Sequence, residues 1–306
     1  MSCKEIKVSV IIVSYNTCGL LRDCLLSVFE KTKDISFEVI VSDNGSVDGS
    51  IEMLRAEFPQ VVLVENKANL GFGTANNRGH DAAKGEFVFD LNSDTLLLNN
   101  AVKIFYDYWR SNENLRLGAL GCNLVDSDGL WTDSFGRFPN VVGLLKKMTH
   151  HLVAFEIKNL MKFFKMDISI LRKWPVYQAV YGEVDFVTGA DLFMKRRSDQ
   201  SYDEKFFLYY EETDLQLQMR KSGLISAIID GPQINHLIRG GLPKEDDVIR
   251  YGTFSIIQSE ISKVRYTKKN LSLIATFLLK CMISIQWLSP YIFRNTKKYF
   301  KTLWAI

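Results

Sequence analysis

Phe87-Val88-Phe89-Asp90-Leu91-Asn92-Ser93-Asp94-Thr95 begins as an apolar run of strand character and ends in a cluster of oxygen-bearing side chains. In an open α/β sheet, ligands bind just outside the carboxyl ends of the strands. A carboxylate there, with an amide two residues earlier, can face a divalent cation and the oxygens of a diphosphate. Mg²⁺ and Mn²⁺ prefer oxygen ligands, and Mg²⁺ commonly combines one or two carboxylates with phosphate oxygens. The alternative is a polar turn in which Asn92 and Asp94 cap the next helix, Ala101–Trp109. Taken alone the stretch favours the turn; its surroundings shift the balance.

Upstream, Val8–Val13 is a short, almost wholly apolar, β-branched run, as expected of a strand buried on both faces of a parallel sheet. The polar turn Ser14-Tyr15-Asn16-Thr17 follows, then Leu21, Leu25, Val28 and Phe29 at helical spacing. A second buried strand, Phe37–Ser42, ends in Asp43-Asn44-Gly45-Ser46. A short helix with Ile51, Leu54 and Phe58 on one face stops at Pro59, and Val61–Glu65 reads as a third strand. Asn69-Leu70-Gly71-Phe72-Gly73-Thr74-Ala75-Asn76-Asn77 then feeds a helix running to about Ala83, before the strand Phe87–Leu91. Strand, turn and helix thus alternate four times, the layout of a doubly wound mononucleotide-binding half. Four strand-end turns carrying amides and carboxylates, side by side at one sheet edge, point to a nucleotide pocket.

Downstream the pattern is less regular. Leu117–Val125 reads as a strand, and Val141–Trp174 as an apolar and basic insertion. Val184–Val187 leads into Thr188-Gly189-Ala190-Asp191 and the strand Leu192–Lys195. A second carboxylate cluster, Glu211-Glu212-Thr213-Asp214, opens a helix whose Leu215, Met219 and C-terminal Gly223 fit helix spacing and stop. Ile225–Ile229 is a late strand, with His236 in the loop beyond.

The 306 residues suffice for one large α/β domain with appendages or for two smaller domains. The net charge of +3 hides a split: Ile261 to Ile306 holds nine Lys or Arg and no acid, leaving a net of −6 on the first 260 residues. A basic tail of this kind suits an anionic surface. The five cysteines form no CxxC pair and no metal spacing, and read as thiols in a reducing compartment. Val8–Val13 is too short for the apolar core of a signal peptide.

Taken in order, these motifs resemble the family 2 glycosyltransferases of GT-A fold, and within them the bacterial rhamnosyltransferase-like branch that builds surface polysaccharides. The resemblance rests on Val10–Asn16, Val41–Ser50, Asn69–Gly73, Ala75–Asn77, Leu91–Thr95, Thr188–Ala190 and Phe206–Leu215, and covers roughly residues 7 to 240. It implies a nucleotide-diphosphate sugar donor (dTDP-rhamnose or a UDP-sugar), inverting transfer to a hydroxyl of a glycan or lipid-linked acceptor, and no nucleic-acid partner. By the same resemblance Asp43 bonds the base, helped by Ser14, Tyr15 and Asn16. Asn44, Gly71, Phe72, Gly73, Asn76 and Asn92 line the nucleotide, and Gly189, Ala190 and Asp191 line the donor and acceptor pocket. Asn92-Ser93-Asp94 stands where the family has its Asp-x-Asp metal motif. The amide removes one charge and leaves Asp94 as main ligand for Mg²⁺ or Mn²⁺, with His236 as the late histidine closing the site or, alternatively, a structural side chain. Glu211-Glu212 stands where the family has Glu-Asp, which points to Glu212 as general base and keeps Glu211 and Asp214 as alternatives. The competing reading is a solvated acidic helix start that suits the helix dipole.

The expected architecture is therefore an α/β GT-A domain over 1–240, with a mostly parallel Rossmann-like sheet. Its nucleotide-binding half is 1–100 and its acceptor half 101–240, with a helical insertion near 141–174. A basic helical extension follows over 241–306. In that extension Leu271–Ser289 is apolar, with Ser272, Thr276, Lys280 and Ser284 drawing one polar stripe. The stripe and basic flanks favour a helix lying in a membrane interface over one packed on the protein, and that over a span. The expected location is the cytoplasm, at the inner face of the cell membrane. Two other enzyme classes fit less well. A sugar nucleotidyltransferase needs a basic Gly-rich loop after the first strand, and a dehydrogenase needs a third glycine in that position. A catalytically inactive nucleotide-sugar-binding or scaffold protein is the remaining alternative, supported by Asn92 and Glu212.

Overall fold

The computed structural model describes residues 5–150, 153, 177–197, 201–237, 253–290 and 292–306. In chain order the first elements are β1 (Val8–Ser14), α1 (Cys18–Lys31), β2 (Phe37–Asp43), α2 (Ser50–Glu57), β3 (Val62–Glu65), α3 (Phe72–Ala82) and β4 (Phe87–Asn92). Then come β5 (Thr95–Leu97), α4 (Ala101–Ser111), β6 (Leu117–Cys122), β7 (Phe135–Gly136) and a helix at 141–150, here α5. After β8 (Gly182–Val184), β9 (Phe186–Val187) and β10 (Asp191–Lys195) follow α6 (Glu211–Lys221), β11 (Ile225–Ile229) and β12 (Ile234–His236). Four helices end the chain: α7 (Phe254–Asn270), α8 (Leu273–Trp287), α9 (Phe293–Thr296) and α10 (Phe300–Ala305).

These elements form two compact units. The first comprises Met1–Phe138, Tyr177–Phe207 and Glu211–Gly241; the second comprises Pro139–Val176, Leu208–Tyr210 and Leu242–Ile306. The described helix at 141–150, which begins the insertion expected inside the first domain, groups with the C-terminal helices. Of that insertion, 151–152 and 154–174 lie outside the described residues.

In the first unit an eight-stranded sheet has the order β3-β2-β1-β4-β10-β6-β11-β8. Six strands run one way; β10, wedged between β4 and β6, and the edge strand β8 run the other. The apolar runs explain why both faces are covered. Val10 and Ile12 point to one face with Leu21, Leu25, Phe105 and Trp109, while Ile11 points to the other with Ile40, Leu192, Leu215 and Met219. The central strands are thus buried on both sides, as parallel strands require. Phe193 on β10 anchors the first face, stacked on Phe87 at 5.3 Å and on Phe105 at 5.4 Å between ring centroids. Phe193→Ala should cost about 3–5 kcal/mol, read as a lowered midpoint in urea unfolding.

Several sequence expectations move by a residue or two. One expectation gives way: Asn92 and Asp94 do not cap α4. A three-residue strand, β5, intervenes and pairs antiparallel with β12, with Thr95 opposite His236. Asn100 occupies the cap position instead. Gly223 does end α6, with positive φ and the Leu224 N–H returned to the Met219 carbonyl.

In the second unit α5, α7, α8 and α10 share a core of Leu144, Met148, Ile261, Val264, Ile283, Trp287 and Leu303. Trp287 Nε1 donates to the buried Glu260 at 2.6 Å, and burial pushes that carboxyl up to about 7. Among the described residues no helix is long and apolar enough to cross a membrane, so a span at Leu271–Ser289 is not seen.

Candidate active site

The turns after β1 and β2 are clasped together. The side-chain oxygen of Asn16 accepts the Val47 N–H at 2.8 Å, and the Asn16 N–H donates to Ser46 Oγ at 2.9 Å. Asp43 is fully buried: Oδ1 accepts the N–H groups of Gly45 and Ser46, and Oδ2 accepts the Ser46 hydroxyl at 2.6 Å. Asn44 is equally committed, donating to the Gly71 carbonyl at 3.1 Å and accepting from Asn66. Both side chains therefore shape the turn from within. Ser14 is buried under it, and Tyr15 is an exposed aromatic side chain on its rim.

Gly71 is where the third turn meets the rest of the unit. Its φ is +87°, and a Cβ there would lie 2.2 Å from the Phe207 carbonyl oxygen, which also accepts the Phe72 N–H at 2.9 Å. Only glycine combines that φ with that approach. Gly71→Ala should cost several kcal/mol, or about 1–3 for φ alone, and should detach the loop. Thermal unfolding and nucleotide binding should fall together. Gly73 lies close to Tyr202 and Glu211. Asn76 is buried and returns its amide to the Phe72 carbonyl.

At the end of β4 the Asn92 N–H donates to the Ala190 carbonyl at 3.0 Å, and Thr95 closes the turn by donating to the Asn92 carbonyl at 2.8 Å. The β5–β12 pairing swings His236 beside this turn. Its Nε2 lies 3.4 Å from Asp94 Oδ1 and 3.4 Å from Asn92 Nδ2. Its buried Nδ1 has no hydrogen-bond partner among the described residues. Carboxylate oxygen and imidazole nitrogen thus converge as adjacent ligands would. The pair fits a divalent cation, and Mn²⁺ accepts this mixed donor set more readily than Mg²⁺. No third His, Cys, Asp or Glu joins them among the described residues.

The second acidic cluster is not a solvated helix start: Glu211 and Asp214 are buried, and Glu212 is half-buried. The two residues before it, Tyr209 and Tyr210, both have positive φ, a strained approach of the sort that clusters at functional sites. Gln216, one turn on, bolts the helix to β9, accepting the Val187 N–H at 2.8 Å and donating to its carbonyl at 2.7 Å. Glu212 stands over Gly189, whose added Cβ would lie 3.2 Å from the Phe72 ring and 3.8 Å from Glu212 Cβ. Burial, and then the charge of Asp133, push the Glu212 carboxyl up to about 6.

Gly189 and Ala190 therefore join the two acidic groups, Glu212 above one and Asn92 bonded to the other. Asp191 does not line this space. It is wholly buried, with Oδ2 accepting the Cys122 N–H at 2.7 Å, and burial pushes it up to about 8. Behind the site a buried network, Tyr202 Oη to Asp90 Oδ2 at 2.6 Å and His80 Nε2 to Asp90 Oδ1 at 2.7 Å, ties α3 to β4. Asp133, Gln216 and this network were missed from sequence. Asp90 did carry a signal, an acid inside an apolar strand.

A 3-2-1-4 parallel half with a wedged antiparallel strand is the layout of a GT-A fold. The family model for Glycosyl transferase family 2 matches residues 9–167, and the chain belongs to that family. Glycosyltransferase GlyG of Streptococcus pneumoniae serotype 4 is 33% identical over 233 residues, 71% of this chain and 72% of that protein. The N-acetylglucosaminyl-diphospho-decaprenol L-rhamnosyltransferase of Mycobacterium tuberculosis is 25% identical over 242 residues, 74% of this chain and 75% of that protein. The chain is rhamnosyltransferase-like in this sense. Some matches are shorter: similarity to the uncharacterized glycosyltransferase YfnE of Bacillus subtilis, 37% identical over 112 residues, covers 36% of this chain and 28% of that protein. Among solved structures, mannosyltransferase PcManGT from Pyrobaculum calidifontis, in complex with GDP-Man and Mn²⁺, superposes with a TM-score of 0.53 at 16% identity, over 98% of this chain and 86% of that one. That likeness concerns the fold.

Proposed function

We propose that this chain transfers a sugar, with inversion, from a nucleotide-diphosphate sugar to a hydroxyl of a glycan or lipid-linked acceptor, in bacterial surface polysaccharide synthesis at the inner face of the cell membrane. The observation that carries the proposal is a half-buried Glu212, its carboxyl raised to about 6, over Gly189, while the next residue, Ala190, accepts the N–H of Asn92, two residues before the Asp94 that pairs with His236.

The roles follow from chemistry. Asp94 and His236 would hold a divalent cation, which supplies charge neutralisation to the leaving diphosphate. Tyr15, exposed on the rim, is the side chain available to stack on the base; Asp43 and Asn44 hold the turns that present it. Phe72 and Gly189 wall the sugar side. Glu212 takes the proton of the attacking hydroxyl as the new bond forms. Attack from the face opposite the leaving group inverts the anomeric carbon, so base and diphosphate must stand apart. The separation of the two acidic groups by Gly189 and Ala190 is consistent with that demand. Burial, with a smaller contribution from the charge of Asp133, keeps Glu212 basic enough to accept a proton near neutral pH.

Similarity to the mycobacterial rhamnosyltransferase favours dTDP-rhamnose over UDP-sugars and a lipid-linked acceptor over a free glycan. Release of nucleoside diphosphate from dTDP-rhamnose, UDP-glucose and UDP-N-acetylglucosamine, each with Mn²⁺, tests the reading. Turnover of one donor is the expected result; release from none of them would move the inactive-binder alternative forward.

A further inference from the structure

The helix α8 is turned the wrong way for a water-soluble bundle. It buries Thr276 and Gln286 along with Ala275, Leu279, Ile283 and Trp287. Its exposed side chains are Leu273, Ile274, Phe277, Leu278, Ile285 and Leu288, with Ile274 76% and Ile285 65% exposed. At 3.6 residues per turn these six fall within one arc of about 140°. The expected polar stripe runs along one edge of this face: Thr276 is buried and bonds back to the Ser272 carbonyl, while Lys280 and Ser284 are half-exposed, Ser284 accepting from Trp304 Nε1 at 3.1 Å. Single exposed apolar residues are ordinary, but a continuous apolar face on one helix marks an interaction surface.

The rim of this face is basic. Lys280 sits 5.6 Å over the ring of Trp304, itself 46% exposed and packed edge-on against Phe277. Lys268, bonded to the Ile306 carbonyl, and Lys269 are exposed at the α7 end, next to Leu273. Lys297, Lys298 and Lys301 are exposed on the segment leading to and entering α10, and no acid follows Glu260 in the chain. A second copy laid on the face would bring two such rims together, at a cost in like-charge repulsion. An anionic lipid surface instead complements both the rim and the apolar arc, with Trp304 at the boundary between them. The helix has 15 residues, about 22 Å of rise against a hydrocarbon thickness of about 30 Å, so it fits the plane of the interface.

We propose that the exposed face of α8 is a membrane-docking surface that lies in the headgroup region of an anionic leaflet. This narrows the membrane-side reading above to one helix face, and it holds whether or not the chain transfers a sugar. The test is co-sedimentation of the full chain with vesicles of phosphatidylcholine alone or with about one-third phosphatidylglycerol, at about 0.1 M salt. The expected result is binding to the anionic vesicles, weakened at least about tenfold by omitting phosphatidylglycerol or by the double variant Phe277→Glu/Ile285→Glu. Circular dichroism and donor-nucleotide binding of that variant should be unchanged, since both side chains are exposed. Wild type that ignores anionic vesicles would overturn the proposal. So would a dimer in sedimentation equilibrium that the double variant abolishes, because it would assign the face to a second copy. Vesicle binding is read without any glycosyl transfer, so failure of either reading leaves the other standing.

Discussion

Glu212→Gln is expected to lower turnover about 10²–10⁴-fold while leaving donor-nucleotide affinity unchanged. The amide keeps the length and shape of the side chain over Gly189 and removes only the ability to take a proton. The α6 start should stay in place, because Gln216 bolts the helix to Val187 and the amide oxygen can still accept the first-turn hydrogen bonds that the carboxylate accepts. The same assignment dictates a pH profile. A general base works when ionised, and the Glu212 carboxyl is raised to about 6 by burial and by Asp133. Wild-type kcat/KM should therefore climb as pH rises through about 6 and level off above it. Asp133→Asn removes the neighbouring negative charge, so the climb should move to lower pH, whereas a change that merely disturbed folding would lower the whole profile. An unshifted profile in Asp133→Asn together with an active Glu212→Gln would transfer the role to Glu211 or Asp214.

The second large effect belongs to Asp94. Charge stabilisation by a bound cation is worth several kcal/mol, so losing its main ligand should cost at least about 10²-fold in turnover. Asp94→Asn should behave like Asp94→Ala, because charge rather than shape is what is removed. Asn92→Asp supplies the reverse test. It adds a carboxylate beside His236 Nε2, where the amide now lies at 3.4 Å, and should tighten Mn²⁺ binding in a calorimetric titration.

Much of the nucleotide half was legible because its signals are local. Val8–Val13, Phe37–Ser42 and Phe87–Leu91 are apolar runs that suit only strands covered on both faces, and each ends where a polar turn begins. What stayed hidden was long-range. The β5–β12 pair consists of two three-residue strands far apart in sequence, too short for any periodicity, yet with the Leu237 N–H bond to the Asp94 carbonyl it carries His236 to Asp94. The reversed strand β10 between β4 and β6 has the same apolar pattern as a parallel strand. Side-chain direction was likewise not legible from motif position. Asp43, Asn44 and Asn76 lie in the nucleotide loops, but their side chains turn inward to hold backbone groups, and Asp191 follows the Gly-Ala turn while pointing into the core. A sequence motif fixes where a residue falls along the chain; the hydrogen-bond demand of buried backbone decides where its side chain goes. In α8 the polar stripe was seen but not its orientation, since which face finds partners depends on α7 and α10.

The most direct test of the central claim is a calorimetric titration of dTDP, UDP and GDP into wild type and Asp94→Ala, each with and without Mn²⁺. One nucleotide is expected to bind wild type tightly in Mn²⁺ and to lose most of that affinity without the metal or without the Asp94 carboxylate. Binding of no nucleotide under any condition, or binding indifferent to both metal and Asp94, would contradict it.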